Sequence, residues 1–264
     1  MKKNTSLVGW AIFCMLFINL NQFALAANDS ENNEKEIIAA EGQDESDATD
    51  GKKDVFSVDL LVDATSRDVD KYSGAIGEGW ISHQGVTLTH NPSGAYLNAL
   101  SYVKEDGLNE VDLLVGWSVD FHDITLDGGG GYYAVDDDED WLAWYLEVTL
   151  PQFAGFTPSA YIEANYGVDD GRGGIFWKFK IQRDFEIFGR EFAPEFEIGG
   201  NDGLYGYNPE FISFGRLTVS TEIEMSDAIT VTPFVAVQKG GAEDGIANDA
   251  TLVYAGVTAS FSLF

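Results

Sequence analysis

The chain has little cysteine, histidine or positive charge. It contains one cysteine and three histidines in 264 residues, and 15 basic residues stand against 44 acidic ones, for a formal net charge of -29. The cysteine, Cys14, lies in an N-terminal segment that we expect to be removed, so neither disulfides nor thiolate metal sites are expected in the mature protein. Nucleic acid is not expected as a partner, because phosphate binding needs concentrated lysine and arginine.

The N-terminus carries the long apolar run of the sequence. Residues 1–26 combine two early lysines, an apolar segment from Leu7 to Leu20 and the small-x-small sequence Ala24-Leu25-Ala26, which is typical of a secretory signal peptide. The alternative, a signal anchor, is disfavoured because the run is short for a spanning helix. Residues 27–53 are acidic and lack aromatic residues, which favours a disordered periplasmic leader over a short helix that enters a barrel.

From residue 54 onward, apolar and polar residues alternate in segments that are separated by Gly, Pro, Asn and Asp. The clearest segments are 111–121, 175–181 and 253–263, in which every second residue is apolar. About twelve such segments fit the nine to eleven residues that a tilted strand needs to cross a bilayer. The sequence therefore predicts an all-β fold for residues 54–264: a transmembrane antiparallel up-and-down β-barrel of about twelve strands.

The connections between these segments alternate in length. Short ones, such as 91–94, 122–123 and 188–189, are followed by longer acidic or glycine-rich ones, such as 104–110 and 136–140. A barrel with both termini in the periplasm has tight turns at one end and longer loops at the other. A soluble sandwich has no reason to sort its connections in this way. A soluble periplasmic β-barrel that binds a ligand is the remaining alternative class.

The last strand ends on an aromatic residue, Phe264, as the final strands of bacterial outer-membrane barrels do. Its apolar face ends on Phe261 and Leu263, one residue out of step with Phe264. We therefore expect the bacterial outer membrane as the location. The expected partners are outer-membrane lipid, lipopolysaccharide, small solutes and, through the C-terminal strand, the barrel-assembly machinery.

Aromatic residues fall near the predicted strand ends or in the adjoining loops. This placement predicts a girdle at the membrane interfaces, with core packing as the alternative for any single residue. The aromatic residues concerned are Trp80, Trp117, Trp141, Trp144, Tyr132, Tyr133, Tyr205, Tyr207 and Phe211.

Two motifs carry a family resemblance. Residues 109–117 (NEVDLLVGW) and 126–133 (LDGGGGYY) resemble the E-x-D-L-x-x-G-[YW] and D-x-G-x-x-Y-Y pattern of the TorF-type porins, a family of proteobacterial outer-membrane proteins. Residues 66–69 and 94–97 are similar to two upstream segments of that family, whereas the loop at 68–80 is richer in acid and glycine than its pattern. The resemblance is best over roughly residues 55–150 and implies an outer-membrane location and a barrel architecture.

Charged residues occupy the face opposite the apolar one. We expect this face to line the interior and to set the field and width of a pore for small polar or cationic solutes. The alternative is a polar network that fills the barrel and does not conduct, which would leave a structural or adhesive barrel whose acidic loops carry the function. The residues expected to line the pore are Asp112, Glu147, Glu163, Lys178, Lys180, Glu195, Glu197, Arg216 and Glu222.

The turn at residues 188–189 predicts a hairpin between the strands on either side. In the predicted register, Lys178 and Lys180 face Glu197 and Glu195. Such cross-strand ion pairs stabilise a sheet by roughly 0.2–1 kcal/mol each.

No catalytic or metal-binding constellation is recognised in the sequence, and neither an enzyme nor a cofactor is expected. Ser82 and His83 are adjacent, so on a strand they point to opposite faces, and no acidic partner of His83 is identifiable. The acidic run at 136–140 lacks the spacing of a calcium loop and is interpreted as solvated. Gly128–Gly131 is followed by no predicted helix and lacks the Lys-Ser/Thr of a phosphate loop, and such a run in a barrel indicates a bend or a close approach of the backbone.

Overall fold

The computed structural model describes residues 55–67, 79–105, 107–136, 140–168, 173–202, 210–240 and 251–263. Regular structure in these ranges is entirely β-strand. None of the residues that the structure describes form a helix long and apolar enough to cross a membrane. The predicted signal peptide and leader, residues 1–53, and the terminal Phe264 lie outside the described residues, so the expectations for them stay predictions.

Fourteen strand segments pair into one antiparallel sheet. They are β1 (Phe56–Thr65), β2 (Ile81–His90), β3 (Ala95–Lys104), β4 (Gly107–Phe121), β5 (Ile124–Val135), β6 (Trp141–Thr149), β7 (Thr157–Gly167), β8 (Gly173–Gln182), β9 (Phe185–Ile187), β10 (Arg190–Asn201), β11 (Glu210–Ser220), β12 (Ile223–Ser226), β13 (Ile229–Gly240) and β14 (Thr251–Ser262). Segments β8 and β9 both pair with β10, and β11 and β12 both pair with β13. Each of these two couples is one interrupted strand, so the sheet has twelve strands.

The sheet closes on itself because its first and last strands pair. Segment β1 is antiparallel to β14, with Asp59 opposite Ser262 and Thr65 opposite Gly256. All other pairings join strands that follow one another along the chain. The closed pairing confirms the predicted up-and-down barrel of twelve antiparallel strands.

Alternation along each strand sorts the side chains onto two faces of different polarity. On one face, Val115 and Trp144 are 60% and 68% exposed. On the other face, Asp112 and Glu163 are 1% and 0% exposed. Carboxylates are thus buried in the interior while large hydrophobic side chains face outward, the reverse of a soluble protein and the arrangement of a barrel surrounded by lipid.

The turns separate into two classes, as predicted, with two exceptions. The connection between β6 and β7, predicted as a short turn at 152–155, covers residues 150–156. The turn at Phe188-Gly189 has φ of 53° and 73°, the left-handed geometry of a two-residue hairpin whose twist matches the strands. The predicted longer connection at 104–110 is wrong, because Lys104 pairs with Gly107 and leaves two residues between the strands. A register shift at Tyr102 and Val103 absorbs the extra residue and lets both strands continue.

Candidate pore interior

The interior charges converge on Glu197, a residue of β10 whose side chain is 3% exposed. Its Oε1 accepts a hydrogen bond from Arg216 Nη2, and its Oε2 lies 3.8 Å from Lys178 Nζ. Arg216 Nη1 also donates to the Tyr254 hydroxyl at 3.1 Å. A buried carboxylate is therefore compensated by two cations, as the low exposure of the site requires.

The register of the hairpin differs by two residues from the predicted one. Lys180 lies opposite Glu197, and Lys178 lies opposite Gly199. The turn at 188–189 has only two residues and fixes every pair of the hairpin, whereas the predicted register assumed a different centre. Lys178 still contacts Glu197, but as a diagonal neighbour rather than a directly opposed one.

Lys180 pairs with a carboxylate of another strand. Its Nζ lies 3.0 Å from Glu147 Oε1, and the Ser159 hydroxyl donates to the same oxygen at 3.1 Å. Glu195, the predicted partner of Lys180, makes no ion pair with any described residue. Glu147 thus holds Lys180 toward β6, across the intervening strand β7.

A second group of buried polar residues surrounds Glu163 on β7. Glu163 accepts hydrogen bonds from Asn165 Nδ2 at 2.8 Å, from the Tyr133 hydroxyl at 3.4 Å and from the Tyr161 hydroxyl. Asp112 faces the same interior, opposite Tyr133 on β5. Both predicted acidic residues of this group are therefore on the inner face and shielded from solvent.

Glycines of β4 and β5 accommodate two interior tyrosines. The hydroxyls of Tyr96 and Tyr145 form a hydrogen bond, and Tyr96 also donates to Asp127 Oδ1 at 2.7 Å. A Cβ on Gly116 would lie 2.3 Å from Tyr96 Cζ, and one on Gly129 would lie 2.8 Å from the Tyr145 hydroxyl. These glycines leave the space in which the tyrosine rings lie against the wall.

Part of the interior is apolar. Tyr133, Trp141, Ala143, Phe176 and Phe214 form a buried cluster on the inner face near the end with the longer connections. Tyr133 and Trp141 were expected in the girdle, and that prediction is wrong for both, since they are opposed to each other on the inner face. Among the others, Trp117 and Trp144 do face outward, while residues 205 and 207 lie outside the described part of the chain.

The interior also contains an open space. A cavity of about 400 Å³ is bordered by charged and aromatic side chains and by Thr65, Ile81, Gln182, Ala193, Thr218 and Ser220. The charged and aromatic ones are His83, Glu195, Arg216, Phe234 and Tyr254. The cavity wall belongs to strands on both sides of the β1–β14 closure. The space thus lies beside the charged network and not within the apolar cluster.

His83 has an acidic partner that sequence reasoning missed. Its Nδ1 lies 2.8 Å from Asp63 Oδ1, because β1 and β2 pair these residues directly. Ser82 is opposite Ala64, on the other face, and donates its hydroxyl to the Asp63 carbonyl at 2.7 Å. The His83–Asp63 pair could have been found by aligning β1 with β2 in this register. The same register places Ser82 on the opposite face from the His83 ring.

Glu222 is separated from the other predicted pore residues. It lies in the interruption between β11 and β12 and is exposed, near the short turn that follows β12. Within the described ranges, no group of three or more His, Cys, Asp or Glu side chains is arranged to hold a metal ion.

Several solved structures are similar to this chain, whereas no protein-family profile and no curated protein matches it. The NanC porin has a TM-score of 0.55 at 13% identity, over 76% of this chain and 98% of that one. The KdgM porin has a TM-score of 0.52 at 9% identity, over 77% and 98% of the two chains. The KdgM porin in complex with disordered oligogalacturonate has a TM-score of 0.50 at 10% identity, over 78% and 98%.

The fold is that of an outer-membrane porin. At these identities the likeness concerns the fold. The closed barrel and its exposed apolar outer face together locate the chain in a bacterial outer membrane, as the sequence predicted.

Proposed function

We propose that the protein is a channel for the passive diffusion of small polar or cationic solutes. The observation that supports this most directly is the sign of charge on the inner face of the closed barrel. Acids outnumber bases there, and a negative interior raises the local concentration of cations. The inner acids include Asp63, Asp112, Asp127, Glu147, Glu163, Glu195 and Glu197, and the inner bases of β8 and β11 are Lys178, Lys180 and Arg216.

The inner bases do not reverse this field. Arg216 and Lys178 both contact Glu197, and Lys180 contacts Glu147, so each base lies beside a carboxylate. The oligogalacturonate held by one of the similar porins is an anionic saccharide. For this chain we propose solutes of a different charge class, because the surplus of carboxylates opposes anions.

Planar-bilayer recording of the purified protein tests this function. We expect conductance steps in symmetric KCl and a reversal potential in a KCl gradient that indicates preference for K⁺. A preference for Cl⁻ would contradict the proposed field, and steps that disappear with boiled protein would tie the conductance to the folded barrel.

A second candidate function rests on the apolar cluster of the inner face. Tyr133, Trp141 and Phe176 fill part of the interior where an open porin would hold water. A structural or adhesive barrel whose acidic loops carry the function agrees with this filling. The absence of conductance at any salt concentration, from protein with the mobility of a folded barrel, would favour this candidate over the channel.

We also propose that the chain belongs to the TorF-type porins. The motif residues that support this, Asp112, Gly116 and Trp117 among them, lie on β4, where Gly116 provides the space for Tyr96. Lipopolysaccharide and the barrel-assembly machinery are proposed partners on the strength of the barrel architecture.

A further inference from the structure

The charged side chains on the outer face of the strand ladders are basic. Arg190 and Lys239 share the face of the outward apolar residues, and Arg183, between β8 and β9, lies on the same side. None of the acidic residues in the described ladders occupies an outward position, although the chain has 44 of them. Arg183 and Arg190 lie near the short turn at 188–189, and Lys239 lies at the opposite end of the barrel.

A groove of about 440 Å³ opens on the outer surface beside Arg183. Apart from Arg183, its lining is apolar: Phe156, Ile181, Phe185, Pro194, Phe196 and Leu217. The strand is interrupted at this place. The Arg183 N–H donates to the Pro194 carbonyl at 3.1 Å, but Pro194 has no N–H to return, so the ladder stops between β8 and β9.

Arg183 is held at the edge of the groove with its charge available. Its guanidinium carbon lies 5.0 Å from the centre of the Phe156 ring, a cation–π arrangement. Gly155 packs beside the same side chain, because a Cβ there would lie at van der Waals distance, 3.6 Å, from Arg183 Nε. Among the described residues, no carboxylate forms an ion pair with Arg183.

We propose that this groove binds a glycerophospholipid of the periplasmic leaflet. The acyl chain lies against the apolar lining, and the phosphate diester accepts hydrogen bonds from the Arg183 guanidinium, whose planar fork matches phosphate oxygens. Short turns are periplasmic in barrels of this architecture, which places Arg183 at the depth of that leaflet's headgroups. The charge complementarity is local, because the chain as a whole is strongly acidic and repels anionic lipid.

Native mass spectrometry of the protein purified from outer membranes, after exchange into nanodiscs that contain phosphatidylglycerol, tests this site. We expect bound phosphatidylglycerol on the native protein and roughly tenfold weaker retention in Arg183→Gln, the effect of losing one charge-assisted contact. Arg183→Lys should retain an intermediate amount. Lys239→Gln, which removes an outward cation at the other end, is the matched control and should retain as much as the native protein.

The contribution of the groove is tested with a photoreactive acyl chain. Crosslinks should concentrate in Phe156, residues 181–196 and Leu217, and a neutral diacylglycerol with the same chains should not be retained. Equal retention by Arg183→Gln and the native protein would overturn the proposal, as would equal losses in Arg183→Gln and Lys239→Gln, which would indicate non-specific attraction. Retention of lipopolysaccharide instead of phospholipid would also overturn it. Heat-modifiable gel mobility verifies that each variant is folded.

Discussion

Glu197 is the residue on which the interior electrostatics depend. It is almost completely buried and contacts both Arg216 and Lys178. Removing its charge leaves two cations without their shared counter-ion in a site of low exposure. The penalty of such a change comes mainly from the uncompensated charges and exceeds the net contribution of the ion pairs themselves.

Glu197→Gln should therefore destabilise the folded barrel. We expect a loss of about 3 kcal/mol, at the low end for breaking a buried ion pair, because the amide oxygen still accepts one hydrogen bond. The measurement is the urea dependence of the folded band after refolding into lipid vesicles. Glu195→Gln is the matched control, since Glu195 shares the strand and face but makes no ion pair with the described residues. Equal losses in both variants would contradict the role given to Glu197.

Lys180 affects selectivity more directly than stability. Lys180→Gln should raise the preference of the channel for K⁺, because it leaves Glu147 without its nearby cation. A unit charge at about 4 Å in watery surroundings contributes about 1 kcal/mol, so the permeability ratio should change by up to about fivefold. Reversal potentials in a KCl gradient measure this, with Lys239→Gln on the outer face as a control that should leave the ratio unchanged. A shift toward Cl⁻ would argue against the assignment.

The face of the interior charged residues could be predicted from the sequence, whereas their partners could not. Alternation requires only a period of two, so Glu163 and Glu197 were assigned to the inner face correctly. Which side chains contact each other across two strands depends on the strand register, and one residue more or less in a turn changes that register. Lys180 was therefore assigned to Glu195, and the Asp63 carboxylate beside His83 was missed.

Among the elements, β4 and β5 are distinguished by the glycines that lie under the tyrosine pair. Gly116→Ala places a methyl group where Tyr96 and Tyr145 now lie, so at least one ring has to move. We expect a loss of about 1–3 kcal/mol in the free energy of unfolding, the usual effect of overpacking. Gly215→Ala is the control, because its nearest neighbour would be 3.8 Å away, and its effect should stay within about 0.5 kcal/mol.

Both variants can be compared by the temperature at which the folded band disappears on gels. If Gly116→Ala melts together with Gly215→Ala, the tyrosine rings are free to move and the glycine has no packing role. Recording from the same preparations shows whether displaced rings also change the conductance.

The extent of the elements was predicted less well than their number. The connection after β3 is shorter than expected because β3 and β4 continue past their last clear alternation, through a register shift at Tyr102 and Val103. The interruptions after Gln182 and Ser220 were not predicted either. The interruption after Gln182 depends on Pro194 in the neighbouring strand. The effect of a proline on a neighbouring strand can be predicted only when the pairing of the two strands is known.

For the whole molecule, the C-terminal strand provides the test of assembly. Phe261 lies opposite both Leu60 and Ile229 on the outer face, and the Leu263 N–H donates to the Val58 carbonyl at 3.0 Å. We expect deletion of Phe264 to lower the folded fraction recovered from outer membranes if the terminal aromatic residue is the assembly signal. An unchanged fraction would assign that signal to the apolar face that ends at Leu263, and Phe261→Ser should then be defective.

The pairing of β1 with β14 has a consequence for the order of events during biogenesis. Val62 pairs with Ala259, almost two hundred residues later in the chain. The barrel therefore cannot close before the last strand has been synthesised. Until then, any partly paired sheet has two edges with unsatisfied backbone groups, and such edges invite association with other chains. These edges stay exposed until β1 pairs with β14. The closed pairing also means that joining the native ends and cutting a short turn should yield a permuted chain with the same barrel, since no strand is first or last in the finished ring.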